Sequence, residues 1–374
     1  MHDLSVWFWQ RTLTPHMGAL AATLAESNIR VTFVSNILLS EDRMQQGWET
    51  PQLGKVKFLL AADKDAVIRL AAEVPLGSIH LCQGLRGNGL VADVQHVLRK
   101  RGVQQWAIME TVDDEGWRGV VKRILYHWLL IRWRGHLAGI LAIGRETPAW
   151  IVARGMPSSR IYPFAYFLIE PQVDQLTLSS VEMDVNRDFR FIFVGQLIER
   201  KRVDQLIAAI TTLKRFDIEL WVVGSGPEEA RLHTLADALM PGQVRWLGRQ
   251  PMSAVSNLIY QADCLVLPSR HDGWGAVVSE ALMVGTPVIC SDACGSSVVV
   301  QASSVGSIFP ANNRQALTKA LHKQYETGLW RPERRQQLAE WAKCLGAKAG
   351  ADYLAQVLGL EGKSFDSIVA PWKI

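Results

Sequence analysis

The sequence predicts an α/β protein of two Rossmann-like, doubly wound domains that face each other across a cleft. Short apolar runs alternate with amphipathic stretches, and this alternation occurs in two successive halves of the chain. Parallel strands need a crossover connection and a helix supplies it, so the alternation indicates βαβ units and parallel sheets. The length of 374 residues agrees with this interpretation, because at roughly 150 residues each it corresponds to about two domains.

The individual elements follow from the apolar runs and from helical periodicity. In the first half, strands are predicted at 4–9, 30–35, 56–60, 78–83, 105–109 and 138–144. Helices are predicted between them at 17–27, 65–73 and 90–101. In the second half, the predicted strands are 189–195, 218–224, 243–248, 264–269 and 286–292. The helices of that half are predicted at 202–213, 228–239, 254–261 and 277–283.

The boundary between the domains is expected in the segment 170–188. This segment is polar, contains Pro171 and has no clear periodicity, which is typical of a linker. We therefore predict a first domain at 1–180 and a second domain at 181–374, whose last helices are able to pack back on the first.

Composition and charge limit the possible functions. The chain is 48% hydrophobic and 20% charged, as expected of a folded protein, and 40 basic minus 36 acidic residues give a net charge of only +4. This balance does not indicate a nucleic-acid partner. The five scattered cysteines lack the spacing of a zinc site or a disulfide framework. The start of the chain lacks the basic region of a signal peptide, and no apolar stretch of about 20 residues occurs. We expect a cytoplasmic protein, at most attached to the inner face of the membrane.

The segment 272–280, DGWGAVVSE, follows a predicted strand of the second half, where ligands of open α/β sheets bind. Its glycines allow a ligand to approach the backbone, and Gly275 can open a helix whose N–H groups face that ligand. Glu280 would then lie about one turn into the helix, where its carboxylate could accept hydrogen bonds from two adjacent hydroxyl groups. The alternative is a helix in which the acid only complements the helix dipole.

The second half resembles the carboxyl-terminal domain of family 4 glycosyltransferases, which have the GT-B architecture. The matching segments, in order, are VGQLIERKRVDQLI, VVGSGPEEARL, VRWLGRQP and ADCLVLPSRHDGWGAVVSEALMVGTPVICSD. The resemblance implies a retaining, metal-independent enzyme without a cofactor. It would transfer a sugar from a UDP- or GDP-sugar to a glycan or lipid-linked saccharide, in bacterial surface polysaccharide biosynthesis.

The resemblance also implies roles for individual residues. Glu280 would hold the ribose hydroxyls, and Asp272, where the family usually has Glu, would lie beside the transferred sugar. Lys201 would face the diphosphate, whose growing negative charge a cation stabilises as it departs. The family's diphosphate arginine is replaced by Gln196, so Arg200 or Arg202 is a candidate for the second charge. The implied donor-binding set is Gly18, Gly195, Gln196, Arg200, Lys201, Gly273, Trp274, Gly275, Ala276 and Glu280.

The first half resembles the family only in its opening loop, helix and second strand. Gly18 lies near the start of the predicted helix, where its N–H group could meet the donor phosphate. His16 is a candidate neighbour of the reacting centre, or else a helix-start residue with a satisfied side chain. Glu110 ends a predicted strand and is expected to face the acceptor, although a solvated acidic loop also explains it. The catalytic candidates are therefore Lys201, Asp272, Glu110 and His16, and no metal ligand is expected.

The segment 117–137 combines five cations with a stripe of apolar residues at helical spacing. The cations are Arg118, Lys122, Arg123, Arg132 and Arg134, and no acid occurs between Glu115 and Glu146. Basic flanks beside aromatic residues indicate a helix that lies on an anionic membrane surface. The alternative is a crossover helix whose stripe covers the sheet.

Two other classes of protein share the predicted architecture. A sugar-nucleotide epimerase of GT-B fold would use acids in the cleft to move a proton. A non-catalytic nucleotide-sugar-binding subunit is a third possibility, because Gln196 and Asp272 both depart from the family pattern. A nicotinamide-dependent oxidoreductase is disfavoured, since neither half carries G-x-G-x-x-G after its first strand.

Overall fold

The structure, a computed structural model, describes residues 4–39, 50–86, 88–171, 173, 187–360 and 368–374. These residues form two compact units. The first runs to Ile169 and also includes Leu345–Ile374, and the second spans Glu170–Cys344. Most of the predicted boundary segment 170–188 lies outside the described residues.

The first unit contains a parallel sheet of seven strands in the order β3-β2-β1-β4-β5-β6-β7. The strands are β1 Ser5–Thr12, β2 Arg30–Ile37, β3 Lys57–Leu60, β4 Ile79–Gln83, β5 Gln104–Glu110, β6 Leu137–Ile143 and β7 Ile161–Phe164. The helices are α1 Pro15–Glu26, α2 Lys64–Glu73, α3 Val91–Arg101, α4 Gly116–Trp133 and α5 Thr147–Val152. Since β1 lies between β2 and β4, the strand order reverses there and leaves a crevice at the carboxyl edge of the sheet.

The second unit repeats this plan with six parallel strands in the order β10-β9-β8-β11-β12-β13. They are β8 Phe189–Val194, β9 Ile218–Val223, β10 Val244–Gly248, β11 Cys264–Leu267, β12 Val288–Ser291 and β13 Ser307–Phe309. The helices are α6 Val203–Thr211, α7 Glu229–Leu239, α8 Met252–Gln261, α9 Ala276–Met283, α10 Ser297–Ala302, α11 Arg314–Thr327 and α12 Pro332–Ala342. The reversal here lies between β8 and β11.

A buried polar chain joins the central strands of the first unit. The indole Nε1 of Trp9 donates to Nδ1 of His80 at 3.0 Å, and the other ring nitrogen of His80 lies 2.8 Å from the Ser78 hydroxyl. Burial, with the nearby Arg101 charge, lowers the pKa of His80 to about 3. The imidazole is therefore neutral, and its two nitrogens satisfy buried groups that would otherwise be costly.

The carboxyl-terminal helix α13 (Ala347–Val357) belongs to the first unit, where it packs on α1. The hydroxyl of Tyr353 donates to the Pro163 carbonyl at 2.9 Å, and its ring stacks on Phe164. A Cβ atom at Gly350 would lie 2.2 Å from the Phe167 ring, so the glycine allows this close approach. The chain thus returns to its first unit at Leu345, so the last helix of the predicted segment 181–374 packs on the first unit.

The prediction of two doubly wound α/β domains is confirmed, and each predicted strand is present within a few residues. The cleft between the domains stays a prediction. Two edge strands, β7 and β13, are absent from the sequence-based assignment. Both are short, and β7 contains Pro163, which a strand tolerates at the edge of a sheet but which weakens its sequence signal.

Candidate active site

The loops that follow β8, β9 and β11 meet at the strand-order reversal of the second sheet, because these three strands are neighbours. Lys201 ends a short 3₁₀ turn, Glu199–Lys201, after β8. Asp272 follows β11. Residues 71 positions apart in sequence are therefore brought to one edge of one sheet.

Lys201 and Asp272 form an ion pair, with Nζ donating to Oδ2 at 2.5 Å. Each side chain is only 13% exposed, so the pair is largely shielded from solvent. The Asp272 backbone is fixed as well, since its N–H donates to Ala293 and its carbonyl accepts from Gly295. Burial and the Asp272 charge raise the pKa of the adjacent Cys294 to about 12, so this thiol stays protonated. Two of the four predicted catalytic residues, Lys201 and Asp272, are thus in direct contact.

The two arginines that flank Lys201 point in different directions. The Arg200 guanidinium donates to the carbonyl of His271, next to Asp272, and the Arg270 N–H donates to the Arg200 carbonyl at 2.8 Å. Arg202 instead donates to Asn312 at 2.7 Å. Arg200 is therefore the arginine tied to the Asp272 loop.

Helix α9 begins where the sequence predicts, with Gly275 as its N-cap at φ 84°. The position favours glycine for this backbone conformation, and a Cβ atom there, 2.7 Å from the Leu267 side chain, would also require that side chain to shift. The N–H groups of Ala276 and Val277 lie in the first turn, where a helix stabilises an anion. The Trp274 side chain is 1% exposed, and its indole donates to Ser279 at 3.1 Å. The Trp274 ring therefore packs in the core, and what this residue offers a ligand is its backbone.

Glu280 lies on α9, one turn beyond the helix start, as predicted. Burial raises the pKa of its carboxyl group from its ordinary value to about 7. A carboxyl group with this pKa exchanges a proton near neutrality, and hydrogen-bond donors that favour the carboxylate would lower its pKa again. Strongly shifted carboxyl groups occur preferentially at functional sites.

Two glycines in the loop after β9 allow it to pack closely against the loop after β8. A Cβ atom at Gly224 would lie 1.9 Å from the Gly195 carbonyl oxygen, and one at Gly226 would lie 2.4 Å from that of Leu197. The Leu197 N–H donates to Ser225 at 3.0 Å across the same contact. The G-S-G-P motif thus supports the backbone that carries Gly195, Gln196 and Lys201.

In the first unit, His16 and Glu110 are linked by a residue that the sequence analysis missed. His16 is the second residue of α1 and is buried, and its ring centroid lies 5.4 Å from that of Tyr166. The Tyr166 hydroxyl donates to Oε1 of exposed Glu110, the last residue of β5. Tyr166 follows β7, so recognising that strand would have placed it at the same sheet edge.

Gly18 is the fourth residue of α1, and its N–H group donates to the Thr14 carbonyl at 2.9 Å. A Cβ atom at this position would lie 2.5 Å from the Pro51 side chain. The N–H predicted to meet a phosphate is therefore used within the helix, and glycine at this position permits close packing against Pro51.

The acidic loop after β5 is partly structural. Asp114 accepts hydrogen bonds from Arg154 at 3.0 Å and from the Trp150 indole at 2.8 Å. Desolvation lowers the pKa of Arg154, while the Asp114 charge opposes this shift. Glu110, which ends β5 just before this loop, contacts Tyr166 instead.

Among the residues that the structure describes, no group of three or more His, Cys, Asp or Glu side chains is arranged to hold a metal ion. Metal-independent chemistry stays a prediction. Within the same residues, no helix has the length and apolar character required to cross a membrane.

Solved structures identify the class of fold. The crystal structure of Anabaena HepE in complex with UDP has a TM-score of 0.73 at 13% identity and covers 95% of this chain and 100% of that chain. The apo form of the lipopolysaccharide outer core galactosyltransferase WaaB has a TM-score of 0.69 at 15% identity, covering 96% and 99%. The chain has the two-domain α/β fold of GT-B glycosyltransferases, as predicted.

Sequence comparisons are more specific for the second unit. Residues 180–344 match the family described as Glycosyl transferases group 1. A putative teichuronic acid biosynthesis glycosyltransferase, TuaC of Bacillus subtilis, is 33% identical over 40% of this chain and 36% of its own length. The amylovoran biosynthesis glycosyltransferase AmsK of Erwinia amylovora is 28% identical over 49% of this chain and 46% of its own length. The matched part thus spans less than half of either relative. The matches support a similarity of the second unit to the GT-B glycosyltransferase superfamily.

The ion pair itself can be tested by unfolding. Asp272→Asn should lower the free energy of unfolding by on the order of 3 kcal/mol, because it leaves a largely buried ammonium group without its anion. Lys201→Met combined with Asp272→Asn should recover most of this loss. Urea unfolding of the four proteins of this cycle measures the coupling, and strictly additive effects would contradict the contact.

Proposed function

We propose that this protein is a retaining glycosyltransferase that transfers a sugar from a nucleotide sugar to a glycan or lipid-linked saccharide. The observation that carries the proposal is the position of Lys201, Asp272 and Glu280 on two loops and a helix at the strand-order reversal of the second unit. These residues lie inside the region that matches Glycosyl transferases group 1. Glycosyl transfer needs both a cation for the leaving group and an acceptor for sugar hydroxyls, and this edge carries both.

The proposed donor spans the second unit. Its ribose hydroxyls donate to Glu280, and its diphosphate takes Lys201 and the N–H groups that open α9. The diphosphate has to compete with Asp272 for the Lys201 ammonium group. Once Lys201 turns to the diphosphate, the Asp272 carboxylate becomes available to hydroxyls of the transferred sugar. In this chain Gln196 replaces the family's diphosphate arginine. Arg200, whose guanidinium donates to the His271 carbonyl beside Asp272, is the proposed second cation.

In the proposed step, the bond between the anomeric carbon and the diphosphate oxygen breaks. The acceptor hydroxyl oxygen bonds to that carbon on the same face, which retains configuration, and its proton passes to the departing diphosphate oxygen. Lys201 stabilises the negative charge that grows on the leaving group. In this scheme no protein nucleophile is needed and no metal ion takes part.

The first unit is proposed to bind the acceptor. The Glu110 carboxylate and the oxygen of the Tyr166 hydroxyl, which already donates to Glu110, supply hydrogen-bond acceptors at the carboxyl edge of its sheet, and His16 lies against Tyr166. Such a group suits a hydroxyl-rich ligand. The proposed context is the biosynthesis of bacterial surface polysaccharide, in the cytoplasm or at the inner face of the cytoplasmic membrane. This context is chosen because TuaC and AmsK are described as teichuronic acid and amylovoran biosynthesis glycosyltransferases, the first as a putative one. UDP in the HepE structure favours a UDP-sugar, with a GDP-sugar as the other candidate.

A product analysis separates this proposal from its alternatives. The protein is incubated with each UDP- or GDP-sugar, with and without a saccharide acceptor, and the products are identified by NMR. Transfer with an unchanged anomeric configuration supports the proposal. An epimer formed from the donor alone would instead indicate an epimerase, and binding without turnover would indicate a non-catalytic subunit.

Lys201→Ala should reduce kcat by on the order of 100-fold and change KM less, because the leaving-group charge is largest in the transition state. Steady-state kinetics with a saturating acceptor measures both constants. A rise in KM at unchanged kcat would make Lys201 a ground-state anchor. Gln196→Arg is the companion variant, and raised activity would show that the diphosphate site lacks a charge.

Nucleotide-sugar affinity should rise with pH up to about 7 and then level off. The raised pKa of Glu280 means that the free protein is protonated there below pH 7, whereas ribose hydroxyls bind the carboxylate. Affinity should therefore fall by about tenfold for each pH unit well below 7. Calorimetry with an intact nucleotide sugar avoids titration of a terminal phosphate. Glu280→Gln should give a flat profile, and the same slope in that variant would assign the titration to another group.

A further inference from the structure

The outward face of helix α4 is apolar. Trp117 is 73% exposed and Trp128 is 68% exposed. Between them along the helix, Val121 is 56% exposed and Ile124 is 57% exposed, and these four residues are spaced so that they share one face of the helix. Val120 and Leu125 at the borders of this face are exposed as well. A solvated helix normally presents polar residues outward, and large contiguous apolar patches mark interaction sites.

The opposite face of α4 packs against the core of the first unit. Gly119, Leu130 and Trp133 are its buried residues. Leu130 and Trp133 belong to the cluster that covers one side of the sheet, together with Met109 and Ile140. The sequence-based alternative, in which the apolar stripe covers the sheet, is therefore contradicted for most of the stripe. Only Leu129 at its border is partly buried against this cluster.

Cations border the apolar face, and they fall into two groups. Lys122 donates to the Asp113 carbonyl, and Arg123 donates to the Asp114 carbonyl at 2.8 Å, so both also hold the helix to the preceding loop. Arg118 and Arg132 are exposed on the helix, and Arg134 is exposed directly after its last residue. The Arg118 guanidinium lies over the exposed Trp117 ring at 5.3 Å. The helix itself contains no acid.

An anionic lipid surface is the partner whose chemistry this face fits. Its headgroups complement the cations, and its interface accommodates tryptophan rings, which are apolar with one polar edge. A helix of 18 residues is about 27 Å long, and its cations along both borders require it to lie in the plane of the surface. An acidic protein would match the charge but would not account for two outward tryptophans on one face.

We propose that α4 is a membrane-binding element, with Trp117, Val121, Ile124 and Trp128 inserted into the interfacial region of an anionic leaflet. Arg118, Arg132 and Arg134 would bind the headgroups. The link to a lipid-borne acceptor rests on the proposed function. Because α4 follows the loop after β5, the helix begins close in sequence to Glu110 on the proposed acceptor-binding edge, so docking would bring that edge to a lipid-linked saccharide.

The test uses the full chain, without nucleotide, and sedimentation with vesicles of phosphatidylcholine alone or of phosphatidylcholine with phosphatidylglycerol. Binding should require phosphatidylglycerol and should weaken as salt is raised. Arg118→Glu with Arg132→Glu should reduce the partition coefficient at least about 25-fold, since each cation near an anionic surface contributes a factor of about five. Ile124→Ser with Trp128→Ser should also reduce binding, because it removes inserted apolar area.

Matched variants control for net charge and for exposed apolar area. Arg69→Glu with Lys100→Glu changes the net charge equally at exposed positions of α2 and α3. Leu76→Ser with Phe216→Ser removes a comparable exposed pair elsewhere, at 70% and 90% exposure. Both controls should bind vesicles within about twofold of the unchanged chain, and circular dichroism should show every variant folded.

Equal sedimentation with neutral and anionic vesicles at low salt, or with neither, would overturn the proposal. So would an equal loss of binding in the matched controls. A dimer in sedimentation velocity that dissociates in Ile124→Ser with Trp128→Ser, without vesicle binding, would assign the face to a second copy of the chain. Glu280→Ala should bind vesicles normally, so a failure of the proposed transferase activity remains distinguishable from a failure of membrane binding.

Discussion

The ion pair between Lys201 and Asp272 is the contact on which the site depends. It joins the loop after β8 to the loop after β11 at the strand-order reversal of the second sheet. Opposite charges in a largely shielded position attract each other strongly. Removing both charges from water is costly, however, so a partner with more negative charge can displace Asp272 from Lys201. A diphosphate carries more negative charge than one carboxylate. The same interaction thus stabilises the fold of the site and leaves Lys201 available to the proposed donor.

The rest of the second unit maintains this geometry. Gly224 and Gly226 let the loop after β9 press against the loop that carries Lys201. Gly275 turns the chain from Asp272 into α9, and the buried indole of Trp274 fixes the start of that helix. Glu280 is then held one turn along, where burial keeps its pKa near 7. Stability and proposed donor binding therefore rest on the same few backbone contacts.

Much of the fold and of the candidate site can be predicted from the sequence, because strand and helix periodicity and the position of loops after strands are local signals. They located Lys201, Asp272, Gly275 and Glu280 on the correct elements. Contacts between distant segments were not accessible: neither the Lys201–Asp272 pairing nor the link from Tyr166 to Glu110 has a local signature. The inward direction of the Trp274 ring and the outward direction of the α4 stripe depend on which face the core covers, and periodicity alone does not fix that face.

In the proposed function, Glu280 holds the ribose of a nucleotide sugar on the second unit. Isothermal titration of UDP-, GDP- and ADP-sugars onto the unchanged chain and onto Glu280→Ala tests this role, with exposed Asp237→Ala as the control. We expect saturable binding of one nucleotide class, at least about tenfold weaker in Glu280→Ala and unchanged in the control, because hydrogen bonds to a carboxylate each contribute about 1.5–3 kcal/mol. Equal affinity in the unchanged chain and in Glu280→Ala would contradict the claim.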